Sequence, residues 1–237
     1  MTRQVPQRWL PFLLLLNASC FLPVARLARN EPFRAARVAL PAAGLTRLVI
    51  DAAVGNVSID SLTTDSVIVR ADLASHDAKR LANECGPNTR LIETRSGREL
   101  HLRLDQQTRN RCGERWNVSV PASVGVRVQG GVTDVVVAAA LNQLHVRLRG
   151  PGSVRGYVNS PDIDVNTSLG DITLTAARRE FGRVSAVSRI GSARLEVNGL
   201  RITSIRRPPG SVAEVEGRGP ATLIARSGNG TVRVTVE

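Results

Sequence analysis

From about Val126 to Glu237 the chain alternates apolar and polar residues around glycines that recur at Gly131, Gly152, Gly170, Gly191, Gly210 and Gly230, at spacings of 21, 18, 21, 19 and 20 residues. Strict alternation is the mark of a half-buried strand. A fixed period near 20 is the mark of stacked repeats, one rung per period. The phase holds along most of the series. Two residues after the last five glycines stand Val154, Ile172, Ala193, Val212 and Val232, all apolar; one residue after stand Ser153, Asp171, Ser192, Ser211 and Thr231, all small or polar. Four residues after come Gly156, Leu174, Leu195, Glu214 and Val234, where Gly156 and Glu214 break the apolar rule. A rung of short strands cannot bury its apolar side alone, so stacking is required to close a core. Three residues after the same five glycines stand Arg155, Thr173, Arg194, Ala213 and Arg233. If rungs stack in chain order, arginines occupy alternate rungs, and like charges do not face each other across one strand spacing.

Ahead of the repeats, "LTRLVIDAAVGNVSID" alternates through Leu48, Ile50, Val57 and Ile59, with Gly55-Asn56 read as a turn between two strands. Val67 and Val69 continue the pattern. "SHDAKRLANEC" predicts a short helix with Ser75 as N-cap and Leu81 facing inward. "RLIETRSGRELHLRL" predicts a hairpin turning at Ser96-Gly97, with Leu91, Leu100, Leu102 and Leu104 on its strands. The expected architecture is mainly β: a single-stranded β-solenoid with rungs of about 20 residues and a small helix and hairpin insertion. Its parts are a signal peptide over 1–25, a linker over 26–43 and a β-solenoid domain over 44–237. The insertion falls at about 75–115 and the regular repeats at about 126–237.

The first residues place that domain outside the cytoplasm. Arg3 and Arg8 precede the apolar run Leu10–Leu16, and small residues follow in "NASC", the order of an export signal. The run is too short to span a bilayer, which takes about 20 apolar residues, and no later segment qualifies, so no span is expected in the mature chain. Cleavage near Ala18 or near Ala25 fits the small-residue preference. Cys20 resembles the lipidated cysteine of a bacterial lipobox, although Asn17 stands where that motif wants an apolar residue; the alternative is a cysteine lost with the signal or left near the mature start. Cys85 and Cys112 then most simply form a disulfide, with a metal or redox site as the competing reading. No Cys-x-x-Cys occurs, and His76, His101 and His145 stand singly.

The net charge is +12, carried almost wholly by arginine, since Lys79 is the only lysine. Such a surface attracts anions: an acidic glycan, a phosphorylated lipid or nucleic acid. Nucleic acid is not expected, because the arginines are dispersed and aromatic residues make up only 3% of the chain. No phosphate-cradling loop and no nucleophile elbow is present, and "GGVTDVVV" lacks the second glycine and the repetition of a calcium nonapeptide. Asp162 and Asp164, two apart on a strand, share a face and are the first suspects for acid–base chemistry. The competing reading has them balance outward arginines. His145 is read as a surface residue, and Trp116 as a seal where the insertion meets the repeats. Asn56, Asn117 and Asn229 begin glycosylation sequons, for which this signal implies no host machinery.

With its export signal, the opening "LTRLVIDAAVGNVSID", the helix-plus-hairpin insertion, "WNVSVPASVGVRVQGGVTDVVV" and the Gly-x-[Val/Ile]-x-[Leu/Val] repeats, the chain over roughly 44–237 resembles the bacterial cell-envelope family of β-strand-repeat, adhesin-like proteins of unknown function. It departs from that family's usual acidic or serine-rich turns at "RRPPGS" and "GPGS". The resemblance implies an envelope β-solenoid with no established catalytic activity. The expectation is an exported, non-enzymatic adhesin or surface scaffold in the periplasm, outer membrane or cell surface, with no catalytic residue, cofactor or metal. Its partner would be an anionic envelope glycan or lipid, or an envelope protein. The alternatives are a polysaccharide lyase or hydrolase on the solenoid face, and an accessory binding module for an envelope membrane partner.

Overall fold

The structure is a computed structural model that describes residues 35–237 apart from 76, 78, 80, 87–88, 107–111, 178–180 and 198–202. The protein is mainly β, with seventeen strands among the described residues. Ahead of the repeats lie β1 (Ala35–Pro41), β2 (Arg47–Leu62), β3 (Ser66–Ala74), β4 (Thr89–Ser96), β5 (Glu99–Gln106) and β6 (Gly113–Pro121). The repeat region supplies β7 (Gly125–Ala140), β8 (Leu144–Pro151), β9 (Val154–Asn159), β10 (Asp162–Leu169), β11 (Ile172–Ala176) and β12 (Phe181–Ile190). It closes with β13 (Ala193–Val197), β14 (Thr203–Arg207), β15 (Gly210–Glu216), β16 (Ala221–Asn229) and β17 (Val232–Val236). Among the described residues, helical structure is confined to a short stretch around the π-helical turn Leu81–Cys85, whose Leu81 is buried as expected.

Two ladders run through the molecule. The first runs β4, β5, the first half of β2, the first half of β7, β8, β10, β16, β12, β15, β14. The second runs β1, β3, β6, the second half of β2, the second half of β7, β9, β11, β17, β13. Pairing is parallel through the middle of both. Antiparallel strands are added at the ends: β4 on one side of the first ladder, β15 and β14 on its other side, and β3 and β1 on the second. Inward residues of both ladders, such as Leu48, Ile163 and Leu223 from the first and Val135, Ile172 and Val232 from the second, belong to one continuous core.

The glycines sit where a rung crosses from one ladder to the other. The long β2 and β7 pass that corner unbroken, so Gly55-Asn56 is a bend within one strand and not the expected turn. Val154, Ile172, Val232 and Ala193 stack in register behind their glycines, as the period implies.

Chain order fails at both ends of the stack. The last repeat, β16–β17, lies between β10–β11 and β12–β13, so the corner glycines follow the spatial order 152, 170, 230, 191. Backbone bonds trace it: Gly152 N–H to Leu169 O at 2.9 Å, Gly170 N–H to Asn229 O at 2.9 Å and Gly230 N–H to Ile190 O at 3.0 Å. At the other end β2 lies between β5–β6 and β7. Two expectations fall with this order. Gly210 opens no rung: it starts the antiparallel β15, which puts Val212 opposite Val187 and explains why Glu214 broke the phase. The arginines do not alternate either, because Arg233 and Arg194 are direct partners; Glu196, 2.7 Å from Arg194, offsets the repulsion.

Candidate functional site

Parallel, in-register strands about 4.8 Å apart turn every outward position of the first ladder into a row of side chains. One row reads His101, Val49, Arg127, His145, Asp164, Ile224. The next reads Arg103, Asp51, Gln129, Arg147, Asn166, Arg226. Where β7, β8 and β10 meet, these rows enclose a shallow cleft of about 180 Å³ bordered by Arg127, Gln129, His145, Arg147, Asp164 and Asn166.

A chain of polar contacts edges the cleft. Arg47 pairs with Glu99 and donates to Gln143 Oε1 at 2.8 Å. Gln143 in turn donates to Asp162, which also meets His145 Nε2 and Thr222 Oγ1, each at 3.2 Å. Partial burial acts to raise the Asp162 pKa, but the hydrogen bonds from Gln143 and His145, the His145 charge and the Thr222 hydroxyl outweigh it. They hold the carboxyl below its ordinary range. Asp164 accepts from Arg226 Nη1 at 3.2 Å. Asp162 and Asp164 do share one face, as their spacing implies. Asp162 is held ionised and Asp164 is ion-paired, whereas a glycosidase acid must be held protonated.

Arg127 and Arg147 are different. Among the described residues neither forms an ion pair or a side-chain hydrogen bond, and the side-chain amides of Gln129 and Asn166 lie beside them. Two guanidinium forks and two amides make a donor-rich surface matched to carboxylate or phosphate oxygens. Sequence reasoning did not single out this pair. The signal was present: aligning "GVRVQG" with "LHVRLRG" and "DIDVNTS" on their alternation puts Arg127, His145 and Asp164 in one row and Gln129, Arg147 and Asn166 in the next.

The remaining predicted residues lie elsewhere. Cys85 and Cys112 form a disulfide that ties the helical turn to the start of β6. Beside it Gln106 clasps the Cys112 backbone, donating to its carbonyl at 3.1 Å and accepting its N–H at 2.7 Å. Trp116 is fully buried and donates from Nε1 to Glu114 Oε2 at 2.9 Å, which makes it part of the core. His101 lies 3.4 Å from Glu99. Asp134, in the stretch weighed for calcium, accepts the N–H and hydroxyl of Ser153, both at 2.7 Å. Cys20 and His76 lie outside the described residues. No helix among the described residues is long and apolar enough to cross a membrane.

No known family profile and no curated protein sequence matches the chain. Among solved structures it is similar to a "putative cell adhesion protein" from Clostridium sporogenes, at 13% identity and a TM-score of 0.52, over 87% of this chain and 100% of that one. It is also similar to an adhesin-named protein from Bacteroides fragilis, at 13% identity and a TM-score of 0.34, over 86% of this chain and 98% of the other. The first likeness is one of fold.

Proposed function

We propose that the chain is an exported, non-enzymatic protein of the bacterial cell envelope, a β-solenoid of the adhesin-like strand-repeat type, whose first ladder presents a binding face for an anionic glycan. The domain runs over 44–237, with 75–115 closing one end. The observation that carries the reading is the cleft holding Arg127 and Arg147 without carboxylate partners beside Gln129 and Asn166. A flat face with regularly spaced donors suits a polymer whose acidic groups also recur at intervals. Export is supported by Arg3, Arg8 and the apolar run after them, and by a disulfide of a kind that persists in oxidising compartments. The Asp162 carboxyl, held below its usual range, is not set up as the protonated general acid that the hydrolase alternative needs.

Titration of the purified protein with polygalacturonate and with neutral dextran, at low and moderate salt, tests the reading. R127A/R147A is expected to weaken polygalacturonate binding about tenfold or more, since each charged hydrogen bond contributes about 1.5–3 kcal/mol. Equal binding to dextran, unchanged binding by the variant, or cleavage of the polymer would overturn the proposal.

A further inference from the structure

Among the described residues, four large hydrophobic side chains are strongly exposed: Val132 (50%), Leu169 (48%), Ile190 (46%) and Tyr157 (45%). The first three belong to a single column. Val54 pairs with Val132, Leu169 pairs with both Pro151 and Asn229, and Ile190 pairs with Asn229. Val135 pairs with Val154, which brings Pro151 level with Val132. At the end of the column Gly191 donates to Pro209 O at 3.1 Å, so the exposed Pro209 continues it. The result is a crest along the corner of the molecule: Val54, Val132, Pro151, Leu169, Asn229 and Ile190, spanning about 24 Å at about 4.8 Å per strand. Asn229 is its one polar position.

Arginines line both shoulders of this crest. On the first ladder Arg149 and Arg189 each stand two or fewer positions before a crest residue, with Arg147 and Arg226 one outward position behind them. On the second ladder Arg155, Arg233 and Arg194 stand four residues past the crest. The corner also carries Asp134 and Asp171, whose charges are held against the backbone N–H groups of Ser153 at 2.7 Å and Thr231 at 2.6 Å. Arg226 and Arg194 have carboxylate partners; Arg147, Arg149, Arg155, Arg189 and Arg233 form no ion pair among the described residues.

We propose that this corner is a membrane-contacting edge: the apolar crest enters the headgroup–acyl boundary of an anionic bilayer while the arginines on both shoulders engage lipid phosphates. An apolar strip flanked by cations is the arrangement that holds peripheral proteins at anionic interfaces. The shape supports lipid over protein. The crest is convex, with side chains projecting singly from a bend, so it offers no groove for a partner helix or peptide. A fluid interface closes around such a ridge without matching its contours. The inference goes beyond glycan binding and does not depend on it.

The full chain is mixed with vesicles of phosphatidylglycerol or phosphatidylcholine, in a W9F background that leaves only the buried Trp116 as constant fluorescence. A tryptophan placed on the crest by L169W is expected to shift to the blue and to be quenched by brominated phosphatidylglycerol, with neither effect in phosphatidylcholine. One placed by S61W, at the far end of β2, should show neither with either lipid. This contrast separates crest insertion from any anchoring by the first residues. L169D/I190D is expected to lower affinity for phosphatidylglycerol vesicles by about tenfold or more. Absence of quenching at position 169, equal quenching at position 61, or unchanged affinity of L169D/I190D overturns the proposal. So does a self-association, measured by sedimentation, that L169D/I190D abolishes, which would assign the crest to a second copy of the chain.

Discussion

Gly170 shows how little room a corner leaves. Its φ is +136°, a conformation that side chains resist, and a Cβ there would lie 1.9 Å from the Gly152 carbonyl oxygen of the adjacent rung. Neither atom can move without opening the ladder. G170A is therefore expected to cost about 3 kcal/mol or more, the sum of backbone strain and displaced stacking, measured by urea unfolding. Asp171, beside it, accepts the Thr231 N–H, so the polar position after the glycine is a corner cap and not a ligand site. Asp162 carries a residue-scale prediction with a definite sign. Its folded-state pKa is depressed, so its contribution is complete above the unfolded carboxylate value of about 3.9 and is lost as pH falls through the lower folded value. Thermal melts from neutral pH downward should show D162N losing less stability on acidification than the parent. An equal loss in both would remove the assigned role.

Alternation decides which way each strand's side chains point, and nearly every inward residue read from the sequence is buried: Leu48, Ile50, Val57, Ile59, Leu100, Leu102, Ile172 and Val232. That is why the strands of the hairpin at Ser96-Gly97 were legible. Sequence alternation says nothing about pairing direction, so by alternation alone the antiparallel β15 reads as a rung. There Glu214 accepts from Ser185 at 2.8 Å and Arg183 at 3.0 Å, and those bonds lower its pKa. β5 likewise reads as part of an insertion, yet it pairs parallel with β2. The second ladder ends on β13, where Arg194 and Glu196 face outward, a charged pair of the sort that discourages edge-to-edge association. Of the candidate face, the sequence revealed Asp162 and Asp164 because they lie on one strand. Arg127 and Arg147 lie on two strands, so only aligning those strands brings them together.

For the molecule as a whole, the order of the stack has a direct test. Were the rungs stacked in chain order, removing residues 221–237 would trim one end and leave the remainder intact. In the observed order β16 and β17 separate β10–β11 from β12–β13, so the same truncation removes the parallel partners of four strands. Truncation after Pro220 is expected to abolish protection of β12–β15 in hydrogen exchange and to expose them to proteolysis. Retained protection there would contradict the order. The period and the inward and outward phase were determined by the sequence itself, because each depends on residue type and on local spacing. The stacking order, the Arg127–Arg147 cleft and the apolar crest were decided only by the tertiary structure. Rungs that repeat a glycine followed two residues later by a small or β-branched apolar residue offer one another nearly equivalent surfaces, so the phrase cannot say which neighbour it meets. Those choices fall to contacts about 60 residues apart, such as Ile172 with Val232, and to the antiparallel strands that close the ends.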